Sequence, residues 1–136
     1  MIQHEYTFRV KYSETDKMGI VHHSNYARYF ENARWELFRS IGIPYAKIEE
    51  KGYMLPVISL HINYLQKIVY DEKLTIGTTL EKIKGARLFF SFMMCNQNEE
   101  IVCKSQLELA CVNREKWKPC PFPEFIVETL QRNRSN

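Results

Sequence analysis

The sequence predicts an α+β domain, a curved antiparallel sheet of about five strands wrapped around one long helix. Three observations carry that prediction. After Gly52, apolar and polar residues alternate with period two in four successive runs. One long stretch, Asn25 to about Ile41, has the helical period instead. The four runs are joined by short polar turns, which antiparallel pairing permits and parallel pairing does not. Only the connection from the first strand to the second is long, and it contains the helix.

A first strand is expected over Tyr6–Tyr12, where Tyr6, Phe8, Val10 and Tyr12 share one parity. The polar turn Ser13–Asp16 follows. The helix has an apolar stripe of Tyr26, Tyr29, Phe30, Ala33, Leu37 and Ile41, with Arg28, Glu31, Arg34 and Arg39 mainly off it. Its length is about 17 residues, or roughly 25 Å. Ser24 or Asn25 suits its N-cap, and Gly42 its end, with Pro44 beyond. Pro44 opens a second short helix closed near Gly52. Four strands then carry Ile58–Tyr64, Leu74–Leu80, Leu88–Met94 and Ile101–Cys111, with turns at Lys84-Gly85 and Asn96–Glu99. Pro119, Pro121 and Pro123 break regular structure, and Glu124–Arg132 is expected as a terminal helix. An open sheet leaves two edges, which association would cover, so a dimer at least is expected.

A chain of 136 residues reads as a single domain over residues 1–136. A net charge of +3, with Lys and Arg scattered, gives no dense basic face for nucleic acid. No apolar run approaches the roughly 18 residues of a membrane span. The polar start Met1–Tyr6 has no signal-peptide pattern, so a cytoplasmic protein is the expectation. Cysteines stand at 95, 103, 111 and 120 without a C-x-x-C pair, and are expected as reduced, mostly buried thiols. The adjacent His22 and His23 lack a nearby third ligand, so no metal is expected.

Chemistry concentrates in Thr15–Tyr26. Asp16 lies in a loop ahead of a helix N-terminus, where free backbone N–H groups favour negative charge. An oxyanion formed from a carbonyl would be stabilised there. Gly19 permits close backbone approach. His23, seven residues after Asp16, suits a helper that orients water or shares a proton with the acid. Asp16 could equally attack a carbonyl or thioester directly. Asp is also an ordinary turn or capping residue, and the residues alone leave these readings open.

The run Tyr12-Ser13-Glu14-Thr15-Asp16-Lys17-Met18-Gly19-Ile20-Val21-His22-His23-Ser24-Asn25-Tyr26, with Phe30-Glu31 and Ala33-Arg34 after it, resembles the acyl-CoA thioesterases of the 4-hydroxybenzoyl-CoA thioesterase family, including the small Tol-Pal-associated type. The resemblance extends over nearly the whole chain, through Tyr64, Tyr70-Asp71-Glu72 and Pro123. It implies the hotdog fold, an acyl-CoA substrate hydrolysed to a carboxylic acid and CoA, and no metal or cofactor. It implies Asp16 as the catalytic aspartate, as general base or nucleophile, and the backbone N–H of His23 as oxyanion donor, with the His23 side chain also engaged. Gly19, Asn25 and Tyr26 become candidate substrate contacts. Lys84 matches a basic position used for nucleotide phosphate, and Lys67 and Arg87 are companions by charge. The site would lie between protomers of a homodimer or homotetramer. Many relatives have Asp at the position of Glu14 and a Pro within the segment here written Gln66–Val69.

Other classes are weaker. An acyl carrier protein thioesterase shares the same residues. A non-catalytic acyl-ligand module on this fold would tolerate loss of the acid, yet Asp16 and His23 are both present. A hotdog dehydratase would show Asp, Asn, Pro and His in a run that is absent here. Neither Gly-x-Ser-x-Gly nor a phosphate loop occurs.

Overall fold

The computed structural model describes residues 2–134. Strand β1 (Ile2–Arg9) leads through a 3₁₀ turn at Tyr12–Glu14 and a second at His23–Asn25 into helix α1 (Tyr26–Ser40). Helix α2 (Tyr45–Glu50) and strand β2 (Tyr53–Met54) follow. Strands β3 (Val57–Tyr64), β4 (Lys73–Lys84), β5 (Arg87–Cys95) and β6 (Ile101–Ala110) come next. The short strand β7 (Val112–Asn113) and helix α3 (Glu124–Arg132) end the described chain. The five long strands form one antiparallel sheet in the order β1-β4-β5-β6-β3, and β2 pairs with β7. A five-stranded antiparallel sheet packed on one long helix is the hotdog arrangement that the sequence leads one to expect.

Alternation decides which sheet face meets α1. Leu74, Ile76, Thr78 and Leu80 on β4 and Leu88, Phe90, Phe92 and Met94 on β5 are all buried. The helix lays Tyr29 over Phe8 at 4.7 Å between ring centroids, Phe30 over Phe92 at 4.9 Å and Phe38 against Phe90 at 5.8 Å. Fully burying one such ring is worth about 1.5–3 kcal/mol. The helix stops where Gly42 takes a φ of +87°. There Ile43 N–H donates to Phe38 O and Gly42 N–H to Arg39 O, a Schellman closure.

Four expectations need correction. The first strand begins at Ile2 and ends at Arg9, because the chain breaks into the 3₁₀ turn when Glu14 takes the Lys11 N–H at 2.8 Å; Tyr12 is left 75% exposed. On α1 the buried face is wider than the predicted stripe: Phe38 belongs to it, and Arg34, expected off the stripe, is buried at 5% exposure. Burial pulls the Arg34 pKa down, opposed by the nearby Glu31 charge. Asn25 occupies the N-cap position but makes no capping bond with its side chain. On β3, Ile58 and Tyr64 are about half exposed, because this strand is the edge of the sheet among the described residues and a bulge interrupts its register between Val57 and Ser59.

Candidate active site

The site is built on a short ribbon. Thr15 and Val21 form an antiparallel bridge, flanked by Asp16 N–H to Ile20 O at 2.8 Å on one side and His22 N–H to Glu14 O at 3.0 Å on the other. Gly19 closes the tip with a φ of +77°, a conformation that other residues adopt at a cost. A neighbouring segment holds the ribbon down: Val21 N–H donates to Ile68 O at 2.8 Å, and Tyr70 N–H to Gly19 O at 3.1 Å.

Within this ribbon Asp16 Oδ1 accepts the N–H groups of Met18 at 2.8 Å and Ile20 at 3.2 Å. Among the described residues Oδ2 has no hydrogen-bond partner. The carboxylate is thus oriented by its own loop through one oxygen and free at the other. Asp16, His22 and His23 are all exposed in the single protomer. About two residue rises, roughly 7 Å, separate the level of Asp16 from that of His22.

The helix entrance differs from a simple Ser or Asn cap. His22 Nδ1 accepts the Ser24 N–H at 3.2 Å and lies 2.8 Å from Ser24 Oγ. Both polar groups of Ser24 thus converge on the His22 ring, whose side chain caps the 3₁₀ turn. Asn25 N–H goes to His22 O, which leaves the His23 N–H with no hydrogen-bond partner among the described residues. The His23 ring leans on His22 at 4.3 Å. Among the described residues no group of three or more His, Cys, Asp or Glu side chains is placed to hold a metal ion.

Glu14 joins the two halves. Its carboxylate accepts Lys11 N–H at 2.8 Å and the Tyr29 hydroxyl at 2.9 Å, and its carbonyl accepts His22 N–H and Asn25 Nδ2 at 2.8 Å. Burial, and then the bond to Glu14, raise the Tyr29 pKa. The structure gives Asn25 an inward place: it is buried, its amide spent on Glu14 and its Oδ1 3.4 Å from Arg28 Nη1. Tyr26 is also buried, edge-on to Tyr64 at 4.7 Å, and burial first of all pushes its pKa up to about 12. Glu14 and His22 were not singled out as site residues in the sequence; the spacing His22-x-Ser24 is the signal that a side-chain cap is available.

The basic residues divide. Lys67 precedes Ile68, whose carbonyl holds the ribbon, so it shares an end of the sheet with Asp16. Lys84 and Arg87 flank the β4–β5 turn, where Arg87 is paired with Ala110 across the sheet and ion-pairs with Glu108. Cys103, at the Asp16 end, and Ala110 are seven residues apart on β6, which is about 23 Å of strand. One protomer therefore cannot bring Lys84 and Arg87 to Asp16.

Comparison with known proteins agrees with this architecture. The thioesterase-like superfamily matches residues 10–130. The Haemophilus influenzae acyl-CoA thioesterase YbgC is 32% identical over 129 residues, 93% of this chain and 94% of that one. The crystal structure of a DHNA-CoA thioesterase from Staphylococcus aureus superposes with a TM-score of 0.87 at 32% identity, over 100% of this chain and 97% of that one. A hypothetical protein from Aquifex aeolicus gives a TM-score of 0.88 at 33% identity, over 93% and 98%. With the family match running through the ribbon, the helix and four of the five sheet strands, the chain belongs to the thioesterase-like superfamily.

Proposed function

We propose that this protein hydrolyses acyl-CoA thioesters to a free carboxylic acid and CoA, with Asp16 as the catalytic carboxylate and the His23 N–H as oxyanion donor. The observation that carries it is a carboxylate held by two backbone N–H groups through one oxygen, followed directly after the ribbon by the His23 N–H; neither the other carboxylate oxygen nor that N–H has a hydrogen-bond partner among the described residues. The free oxygen can take a proton from water or bond to the thioester carbon; either route puts negative charge on the carbonyl oxygen, where an N–H donor is worth about 3 kcal/mol. In the water route the proton that Asp16 takes from water is the one the departing thiolate finally receives, and we assign its relay to the exposed His23 imidazole. The names of the relatives support a thioester hydrolase. Within the superfamily, the Asp16-x-x-Gly19-x-x-x-His23-x-Asn25-Tyr26 run supports the 4-hydroxybenzoyl-CoA thioesterase family and its small Tol-Pal-associated type.

The test is thiol release from short, long and aromatic acyl-CoAs. Turnover on at least one class is expected. Hydrolysis of acyl carrier protein thioesters alone would replace CoA as the substrate carrier, and no turnover on either would overturn the proposal in favour of a ligand-binding module.

Oligomerisation follows from what one protomer leaves open. Tyr12, Met18, Val69 and Tyr70 surround the ribbon as exposed apolar groups, and Val57, Ile58, Tyr64 and Leu65 continue that patch along the unpaired edge of β3. Two β3 edges paired antiparallel would carry the Lys84–Arg87 turn of one copy to the Asp16 end of the joined sheet. Gly19 and Lys67 would then meet substrate from one protomer, with Lys84 and Arg87 reaching the CoA phosphates from the other, and the buried Asn25 and Tyr26 holding the helix entrance from within. Light scattering should give a dimer or tetramer of the 16.3 kDa chain. A monomer at working concentration would contradict a shared site.

Four free cysteines support a reducing, cytoplasmic setting. Among the described residues no helix is long and apolar enough to cross a membrane.

A further inference from the structure

We propose that Cys111 and Cys120 form a redox site: a dithiol that a low-molecular-weight disulfide oxidises to an intramolecular bond, fastening the segment before α3 to the end of the sheet. The two Sγ atoms lie 3.7 Å apart in a backbone frame that is already closed. Cys120 N–H donates to Cys111 O at 3.0 Å, Val112 bridges Pro119, and Asn113 N–H donates to Lys118 O at 2.9 Å. The thiols therefore face each other across a hairpin, and a bond of about 2.05 Å needs a closure of only about 1.7 Å. Cys95 and Cys103 serve as internal contrasts, since neither has another sulfur within contact distance among the described residues.

Exposure sets the order of steps. Cys120 is half-buried and Cys111 is fully buried. The Cys120 thiolate attacks one sulfur of the disulfide RSSR, the S–S bond breaks, and one RS⁻ leaves and is protonated. Cys111 then loses its proton and attacks Cys120 Sγ, expelling the second RS⁻. Two cysteine thiols are oxidised by two electrons, RSSR is reduced to two RSH, and the two cysteine protons end on those thiols. Burial, then contact with Cys120, push the Cys111 thiol up to about 12, so the closing step is slow at neutral pH and quickens as pH rises. The Cys111 N–H donates to Ala86 O at 2.7 Å, which sets the pair beside the Lys84–Arg87 turn.

The experiment incubates the folded protein with oxidised glutathione at pH 8 to 9, about the ordinary thiol range, and reads intact mass and a peptide map. Expected is a loss of about two mass units, mapped to Cys111–Cys120 and reversed by reduced glutathione. The Cys95→Ser/Cys103→Ser variant should behave as wild type, and Cys120→Ala should lose the closure. Glutathione adducts without closure, a bond mapped to another pair, or an unchanged mass would each overturn the proposal.

Discussion

Replacing Asp16 with Asn is expected to lower thioester hydrolysis by at least about 100-fold, the scale on which loss of a base or nucleophile is felt. Asn is nearly isosteric with Asp. Its Oδ1 can keep the bonds from the Met18 and Ile20 N–H groups that shape the loop. What it loses is the negative oxygen that is free of the loop. The expectation is the same whether that oxygen takes a proton from water or bonds to the acyl carbon. Because the loop bonds survive, the melting temperature and oligomeric state should stay close to wild type, which separates a chemical loss from an unfolded ribbon. Thiol release and a thermal melt on the same preparation check both. Turnover within a few-fold of wild type would remove Asp16 from the chemistry.

The parts of the fold that could be read from the sequence are those where one side of an element meets the core and the other meets water. Strands β4 and β5 alternate cleanly because their inner faces sit under α1. Gly42 marks the end of α1 because its positive φ lets the Phe38 and Arg39 carbonyls be closed. Where the reading failed, the cause lies outside the local pattern. Ile58 and Tyr64 look like core residues in sequence, yet a strand's place at an edge is a property of the whole sheet order. Tyr12 shares the parity of β1, but the Glu14 carboxylate pulls the chain into a turn first.

The site shows the same division. Asp16 and Gly19 lie on one ribbon and His23 opens the 3₁₀ turn directly after it, because few residues separate them along the chain. Asn25 has the composition of a helix cap, and only the fold reveals that its amide goes to a carbonyl eleven residues back. Lys67, Lys84 and Arg87 are equal as charges along a chain; strand register is what sends two of them to the far end.

Removal of the Glu14 carboxylate tests whether the geometry between the two halves of the site matters as much as its groups. Glu14→Ala should lower kcat by about 10- to 100-fold, with a smaller change in KM, and should lower the melting temperature. The stability loss comes first from Tyr29, only 2% exposed, whose hydroxyl would be left without an acceptor. An orphaned buried group of that kind costs about 1–3 kcal/mol. The kinetic loss comes from the ribbon. Without the bonds to Lys11 N–H and Tyr29 the 3₁₀ turn is free to shift, and the Glu14 carbonyl moves with it. That carbonyl holds His22 N–H and Asn25 Nδ2, so the His23 N–H is displaced relative to Asp16. A displacement of about 1 Å is enough for a loss on the order of 100-fold. Glu14→Gln separates position from charge, since its amide oxygen can accept the same two hydrogen bonds. Recovery of both kcat and melting temperature in Glu14→Gln would mark Glu14 as a positioning residue. A Gln variant as slow as the Ala variant would show that the negative charge itself acts on the reaction, and an Ala variant with wild-type kcat would show that the ribbon holds its shape without it.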